Sequence, residues 1–364
     1  MNRPMGNERL TVRSVRARAV NVPLARPVRT AVGDVPTAPL VLIDVDTHEG
    51  IHGRSYIFGY TDRTLGALVR LITDIGPELA GKSVAPAERM RDFDRRFKLL
   101  GWQGLVGMVV GGLDMALWDA LGQAAGLPVV ALLGGEPKPL PAYDSYGVVD
   151  PVQDAPVLEK AVARGFRGIK IKLAGRTAED DVNVVREVRE TIGPDVALMV
   201  DYNQSLTPTE AVKRINRLAA YDLAWVEEPV PADDLHGHAA VRRASPVPIQ
   251  TGENWWFPRG MANAVTVRAS DLCMLDIMKI GGVTGWLQAM GQADAASLPL
   301  SSHLFMEASA HTLAVTPTAH WLEHLDFAGP LLAEPLQPVD GTITARGPGL
   351  GITWDEEAIT RFSH

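Results

Sequence analysis

The chain has 364 residues, more than one hydrophobic core usually serves, so two packed domains are expected. Hydrophobic residues make up 46% and charged residues 21%, a balance that excludes disorder and predicts folding throughout. A formal net charge of −8 without a basic cluster excludes nucleic acid or an anionic membrane as the main partner, so an anionic substrate must meet positive charge placed locally.

The first residues, MNRPMGNERLTVRSV, hold no apolar core of signal-peptide length, and no run of eighteen apolar residues occurs, so neither export nor a membrane span is expected. From about Leu10 to Tyr60 the sequence alternates in the manner of strands, TVRSVRARAV and then PLVLIDVDTHEGIHGRSYIF, which predicts a small antiparallel meander. Helical patterns follow over Asp62 to Leu79, Pro86 to Leu100 and Gly112 to Ala125, the last stopped by Gly126 and Pro128. Strands followed by helices describe an α+β unit, placed at residues 1–137, and LLGGEPKPLPAY reads as a linker out of it.

From Ala142 onward, short apolar runs alternate with amphipathic stretches: GIKIKL, ALMVDYN, LAWVEEP, PIQTGEN, DLCMLDIMKIGG, LPLSSHLF and HWLEHLDF. Buried parallel strands joined by crossover helices read this way, and seven or eight such α/β units close a barrel over 138–333, with an open doubly wound sheet as the alternative. The tail, 334–364, is turn-rich and strand-like and is expected to pack back on the first domain. Within one of these runs lies Cys273, a single cysteine that reads as a buried, inert thiol and suits a reducing cytoplasm.

Ionisable residues fall near the C-terminal ends of these runs. Asp201 closes ALMVD, Glu227 closes LAWVE and Glu253 closes PIQTGE, at intervals of 26 and 26 residues. That interval is one strand-helix repeat, so the three carboxylates are expected side by side at one barrel rim. Acids at strand ends also cap helices or pair with lysines, but three in register repel one another unless a cation neutralises them. Ligands that are all oxygen point to magnesium. Lys170 and Lys172 are two apart and share a face; crowded by its twin, Lys172 is expected to have a lowered pKa and to serve as a base. Asp276 ends CMLD and His303 ends PLSSH one repeat later, so the carboxylate is expected to orient the imidazole and raise its basicity. No GxSxG elbow accompanies them, and Glu323 in HWLEHL adds an acid at the last strand. A divalent ion, a lysine and a protonated Glu323 together suit an enediolate formed by removing the proton next to a carboxylate. Two bases on opposite sides, Lys172 and His303, suit racemisation or epimerisation.

The segments AVNVPLARPVRTAVG, APLVLID, AYDS, MVDYNQSL, GENW, MKIGGVTGW, SSHLF and TAHWLE resemble, in order and over almost the whole chain, the enolase superfamily and its mandelate racemase subgroup. The resemblance implies a (β/α)7β TIM-like barrel under an N-terminal α+β cap, and magnesium held by Asp201, Glu227 and Glu253. It implies Lys172 as base for the S enantiomer and His303, assisted by Asp276, for the R enantiomer. Glu323 would be the acid on the substrate carboxylate, with Lys170 and Ser145 as further contacts and Asn203 near the substrate hydroxyl. Val28, Val32, Val35 and Tyr60 of a covering loop would line an aryl pocket with Leu304 and Leu325. The implied reaction is racemisation of mandelate or a close aryl or vinyl 2-hydroxy acid, by a homo-oligomer, an octamer. Four residues depart from the implied pattern: Arg26 in place of an aromatic residue, Arg29 and Asp34 as added charge, and Tyr146 in place of histidine. Acid-sugar dehydratases share this machinery, so dehydration of a sugar acid is the alternative reaction, and a catalytically silent binding protein is the alternative from another class.

Overall fold

The structure, a computed structural model, describes residues 9–30, 33–173 and 175–364. Its first three strands, β1 (Val12–Thr30), β2 (Gly33–Thr47) and β3 (His52–Phe58), pair antiparallel in the order β1-β2-β3. Two-residue periodicity explains the sheet: the alternating valines of β1 and apolar β2 bury one face, while Arg16 and Arg18 reach across to Asp44 at 3.1 Å each. A register shift between Pro23 and Val28 turns the far end of the β1-β2 hairpin away, and beyond it Val28 pairs with Val35 and Arg29 with Asp34. Val32 lies outside the described residues.

Four helices follow, α1 (Leu65–Leu79), α2 (Pro86–Phe97), α3 (Leu105–Ala125) and α4 (Val129–Leu132). The third begins at Leu105 rather than Gly112. From Gly107 to Gly111 every residue is buried, so these turns carry no amphipathic period to read. By length and composition α3 is apolar enough to cross a membrane, but 78% of that window is buried inside the protein. Its Gly111 lets the helix lie directly against the barrel, since a Cβ there would sit 2.1 Å from the carbonyl oxygen of Met278.

The second unit alternates strand and helix: β4 (Leu140–Val148), α5 (Ala155–Ala163), β5 (Gly168–Lys172), α6 (Ala178–Ile192), β6 (Ala197–Asp201), α7 (Pro208–Leu218), β7 (Leu223–Glu227) and α8 (Leu235–Ala244). It continues with β8 (Ile249–Thr251), α9 (Phe257–Val267), β9 (Leu272–Asp276), α10 (Gly282–Ala295), β10 (Leu300–His303), α11 (Met306–Ala314) and β11 (Leu322–His324). The parallel strands run β10-β9-β8-β7-β6-β5-β4-β11. Closure comes from Leu300 N donating to Thr318 O, His320 N to Leu300 O (2.8 Å each) and Ser302 N to Trp321 O (3.0 Å). The barrel's first strand starts at Leu140, inside the stretch that reads as linker. Pro141 is tolerated there because it lies at the strand's beginning, against the short antiparallel β12 (Thr342–Ile343).

The tail returns to the first unit. Leu350 N donates to Asp119 Oδ1 (2.6 Å), Trp354 Nε1 to Asp44 Oδ1 (2.8 Å), and α12 (Glu356–Phe362) meets Arg18 through Glu356. Inside the barrel Met199, Trp225 and Met274 stand two residues before Asp201, Glu227 and Asp276 on their strands. They therefore fill the layer below those acids on the same inward face, with Tyr143 of β4 packed against them.

Candidate active site

Strand register brings the acids and bases to one height. Lys172 is the Cα partner of Asp201, Asp201 of Glu227, and His303 of Asp276, each at the C-terminal end of its strand. Glu253 joins them from just beyond β8. The turn that carries it needs Gly252, with φ +136° and a Cβ position only 2.3 Å from Met274 O. Carboxylate oxygens of Asp201, Glu227 and Glu253 lie within 4.8 Å of one another, all buried.

The charges around this point do not balance among side chains. Six buried carboxylates, Asp201, Glu227, Glu228, Glu253, Asp276 and Glu323, face Lys170, Lys172, Lys279 and His303. With every acid ionised and the histidine protonated they would carry two negative charges in excess; burial opposes that state by raising Glu228 as well as Glu227, and a divalent cation would permit it. Burial pushes Glu227 up to about 7, with Asp201, Glu253 and Glu323 adding to the push and Lys170 opposing it. An all-oxygen donor set under such mutual repulsion fits magnesium, held by Asp201, Glu227 and Glu253.

Lys170, 1% exposed, donates to Glu227 Oε1 at 2.7 Å and bridges to Glu323 Oε1 at 2.9 Å. Burial alone would raise Glu323, but Lys170 and then His303 hold it down, to about 2. The expected protonated Glu323 is therefore not the form present without substrate. Lys172 Nζ lies 2.5 Å from Asp201 Oδ2. Burial and its twin Lys170 do lower its pKa, but the attraction of Asp201 and Glu253 outweighs them and the pKa is raised, against the expectation. That attraction belongs to unneutralised carboxylates. His303 presents Nδ1 to Asp276 Oδ2 at 2.8 Å, leaving Nε2 toward Glu253 at 3.4 Å and Glu323 at 4.0 Å. Burial disfavours its charged form, yet Glu253, Asp276 and Glu323 raise it to about 9.

Ser145 is buried on β4 beside Lys170, its Cα partner. Asn203 binds Asp201 twice, through its backbone N (2.7 Å to Oδ1) and its Nδ2 (3.1 Å to Oδ2). Leu304 is buried, takes a left-handed backbone at φ +50°, and donates its N–H to Glu323 Oε2 at 3.0 Å. Leu325 and Val35 are partly buried and Val28 is buried against the main core, whereas Tyr60 is 42% exposed. Two arginines at the hairpin's far end are engaged by the barrel: the Arg26 guanidinium stacks 3.8 Å above the Tyr146 ring, and Arg29 pairs with Asp154 at 2.7 Å. Gly147 permits this docking, since a Cβ there would lie 2.5 Å from the backbone of Arg29. Cys273 is buried on β9 and burial pushes its thiol up to about 12, as an inert core thiol requires.

Four residues that pattern reading passed over complete the site. Trp225 Nε1 and Gln250 Nε2 donate to Glu227 Oε2 at 3.1 and 3.2 Å. Asn254 Nδ2 donates to Glu253 Oε1 at 3.3 Å, and Lys279 Nζ donates to Asn254 Oδ1 at 2.5 Å. The signals were present, GEN immediately after one acid and MKIGG soon after another, but both residues sit in irregular turns where no periodicity marks them.

Residues 12–134 match the family model described as mandelate racemase / muconate lactonizing enzyme, N-terminal domain, and residues 154–358 match the enolase C-terminal domain-like model. Among solved structures, an enolase from Bradyrhizobium complexed with magnesium and mandelic acid superimposes with a TM-score of 0.97 at 56% identity, covering 99% of this chain and 100% of that one. The L-talarate/galactarate dehydratase of Salmonella typhimurium is 30% identical over 88% of this chain and 81% of its own length. The D-galactarolactone cycloisomerase of Agrobacterium fabrum is 34% identical over 72% of this chain and 75% of its own. With both halves matched, and with an acid triad suited to magnesium at the mouth of its barrel, the chain belongs to the mandelate racemase-like group of the enolase superfamily.

Proposed function

We propose that this chain is a magnesium-dependent racemase that removes and returns the α-proton of a 2-hydroxy carboxylate, mandelate or a close aryl or vinyl analogue. The observation that carries the reading is the placement of two basic side chains at the triad's end of the barrel, on strands that are not neighbours. Lys172 ends β5 and His303 ends β10, with β4 and β11 between them one way round the barrel and four strands the other way. Magnesium, bound by Asp201, Glu227 and Glu253, supplies Lewis-acid stabilisation of the charge that develops on the substrate carboxylate. Lys172 Nζ takes the proton on one face and His303 Nε2 on the other, because Asp276 occupies Nδ1. With the triad's carboxylates neutralised by a bound ion, Lys172 would hold its proton less tightly and could serve as the base. A substrate carboxylate beside Glu323 raises that acid by like-charge repulsion and lets it donate a hydrogen bond. Lys170 and Ser145 flank the same carboxylate, and Asn203 the hydroxyl.

An aryl pocket lined by Val28, Val35, Leu304 and Leu325 would favour an aryl or vinyl group over a polyhydroxylated chain, whose hydroxyls would lose water without finding partners. The Bradyrhizobium enolase crystallised with magnesium and mandelic acid supports the same reading. In deuterium oxide with magnesium, one enantiomer of mandelate should exchange its α-hydrogen and lose optical rotation. No exchange with any aryl or vinyl 2-hydroxy acid would sink the proposal, and exchange with any carboxylate excludes a silent binding protein. The similarity to a sugar-acid dehydratase favours a second reading, loss of water from the same intermediate. A 2-keto product from aldonic or aldaric acids would establish it.

The cytoplasm is the compartment that suits the lone reduced thiol. For the assembly we propose a homo-oligomer, an octamer by resemblance, supported by the outward-facing Leu99 and Leu100, the latter 74% exposed. A monomeric mass by light scattering would refute it.

A further inference from the structure

Lys279 stands in the turn between β9 and α10, outside the set of groups that meet the substrate in the proposed reaction. Its backbone N donates to Asp276 Oδ1 at 3.0 Å, so the turn holds the free side of the carboxylate that orients His303. Its side chain is 5% exposed, and Nζ donates to Asn254 Oδ1 at 2.5 Å while lying 4.8 Å from the centroid of the Tyr60 ring. Asn254 in turn directs Nδ2 at both oxygens of Glu228, 2.9 Å each, and at Glu253 Oε1, 3.3 Å.

Donor and acceptor chemistry leaves this chain one orientation. An ammonium only donates and the ionised Glu253 carboxylate only accepts, so the amide must turn its oxygen to Lys279 and its nitrogen to the acids. Glu228 is 1% exposed and has φ +36°, a left-handed backbone that fixes where its carboxylate can go. Asn254 is thus wedged between a buried cation and two buried acids, one of them in the triad.

We propose that Lys279 is a positioning residue: acting through the Asn254 amide, it fixes the Glu253 carboxylate and thereby sets the affinity of the triad for magnesium. The proposal rests on the reading that Asp201, Glu227 and Glu253 hold that ion. Plain electrostatics makes the opposite prediction, since removing a cation from an acidic cavity strengthens metal binding. The two accounts are therefore separable by sign.

Magnesium titration by calorimetry, with no substrate present, tests it on the unaltered protein, Lys279→Met, Asn254→Leu and the double variant. Loss of a partner that orients a metal ligand costs about 10–100-fold in affinity. Each single variant should bind magnesium at least about tenfold more weakly, and the double variant no more weakly than the worse single one, because both break one chain of contacts. Asn254→Leu carries the test alone if Lys279→Met does not fold, since Asn254 borders an outer cleft of about 450 Å³ and its replacement leaves the lysine charge in place. Unchanged or tighter binding in either folded variant, or losses that multiply in the double variant, would overturn the positioning role. No magnesium binding by the unaltered protein would instead sink the assignment of the triad, and this role with it.

Discussion

Dialysis against excess chelator is expected to lower α-proton exchange about a thousandfold or more, and added magnesium to restore it. A divalent Lewis acid contributes several kcal/mol of transition-state stabilisation, and each about 1.4 kcal/mol is a factor of ten in rate. Without the cation the substrate carboxylate would meet the crowded carboxylates of Asp201, Glu227 and Glu253 with their mutual repulsion uncompensated. The same imbalance gives a second readout. Magnesium should raise the unfolding temperature, because a ligand bound to the folded state alone stabilises it by mass action. Full exchange in excess chelator, with no metal detected in the protein, would remove the triad from the mechanism.

Replacing His303 by asparagine should separate the two half-reactions. Asparagine can still accept or donate near Asp276 but cannot take a proton, so exchange on the enantiomer facing His303 is expected to fall by about 10²–10⁴-fold. The opposite enantiomer, whose hydrogen faces Lys172, should keep exchanging with solvent while its optical rotation stays constant, since the proton can return only to the face it left. Lys172→Ala should give the mirror result. The geometry explains why the two variants are independent: Lys172 contacts Asp201, and His303 contacts Asp276, with no hydrogen bond linking the pairs. Equal loss for both enantiomers in either variant would mean one base serves both faces.

Much of the barrel was readable because parallel strands buried on both faces are short continuous apolar runs, and because one repeat of strand, helix and two loops has a nearly constant length. The interval of 26 residues between Asp201, Glu227 and Glu253 encodes their adjacency in the sequence itself. The first barrel strand was less readable: LPAYDSYGV mixes polar residues on both faces and follows a run of Gly and Pro, so its opening residues looked like linker. The start of α3 was hidden for the opposite reason, being apolar on every side. Protonation states could not be read from pattern at all. Lys172 and Glu323 depart from expectation because each is governed by a partner on another strand, Asp201 for the first and Lys170 for the second, whose distances only the fold supplies. Lys279 and Asn254 escaped because residues in turns are selected for what they touch rather than for a repeat.

The returning tail sets an order of events during synthesis. Asp44 and Asp119 belong to the first unit, yet their partners Trp354 and Leu350 are made only after every barrel strand. A nascent chain usually settles its domains from the N-terminal side as they emerge. Here the leading sheet and the helix behind it must wait, with two buried carboxylates lacking those contacts, until Leu350 and Trp354 have emerged and closed over them.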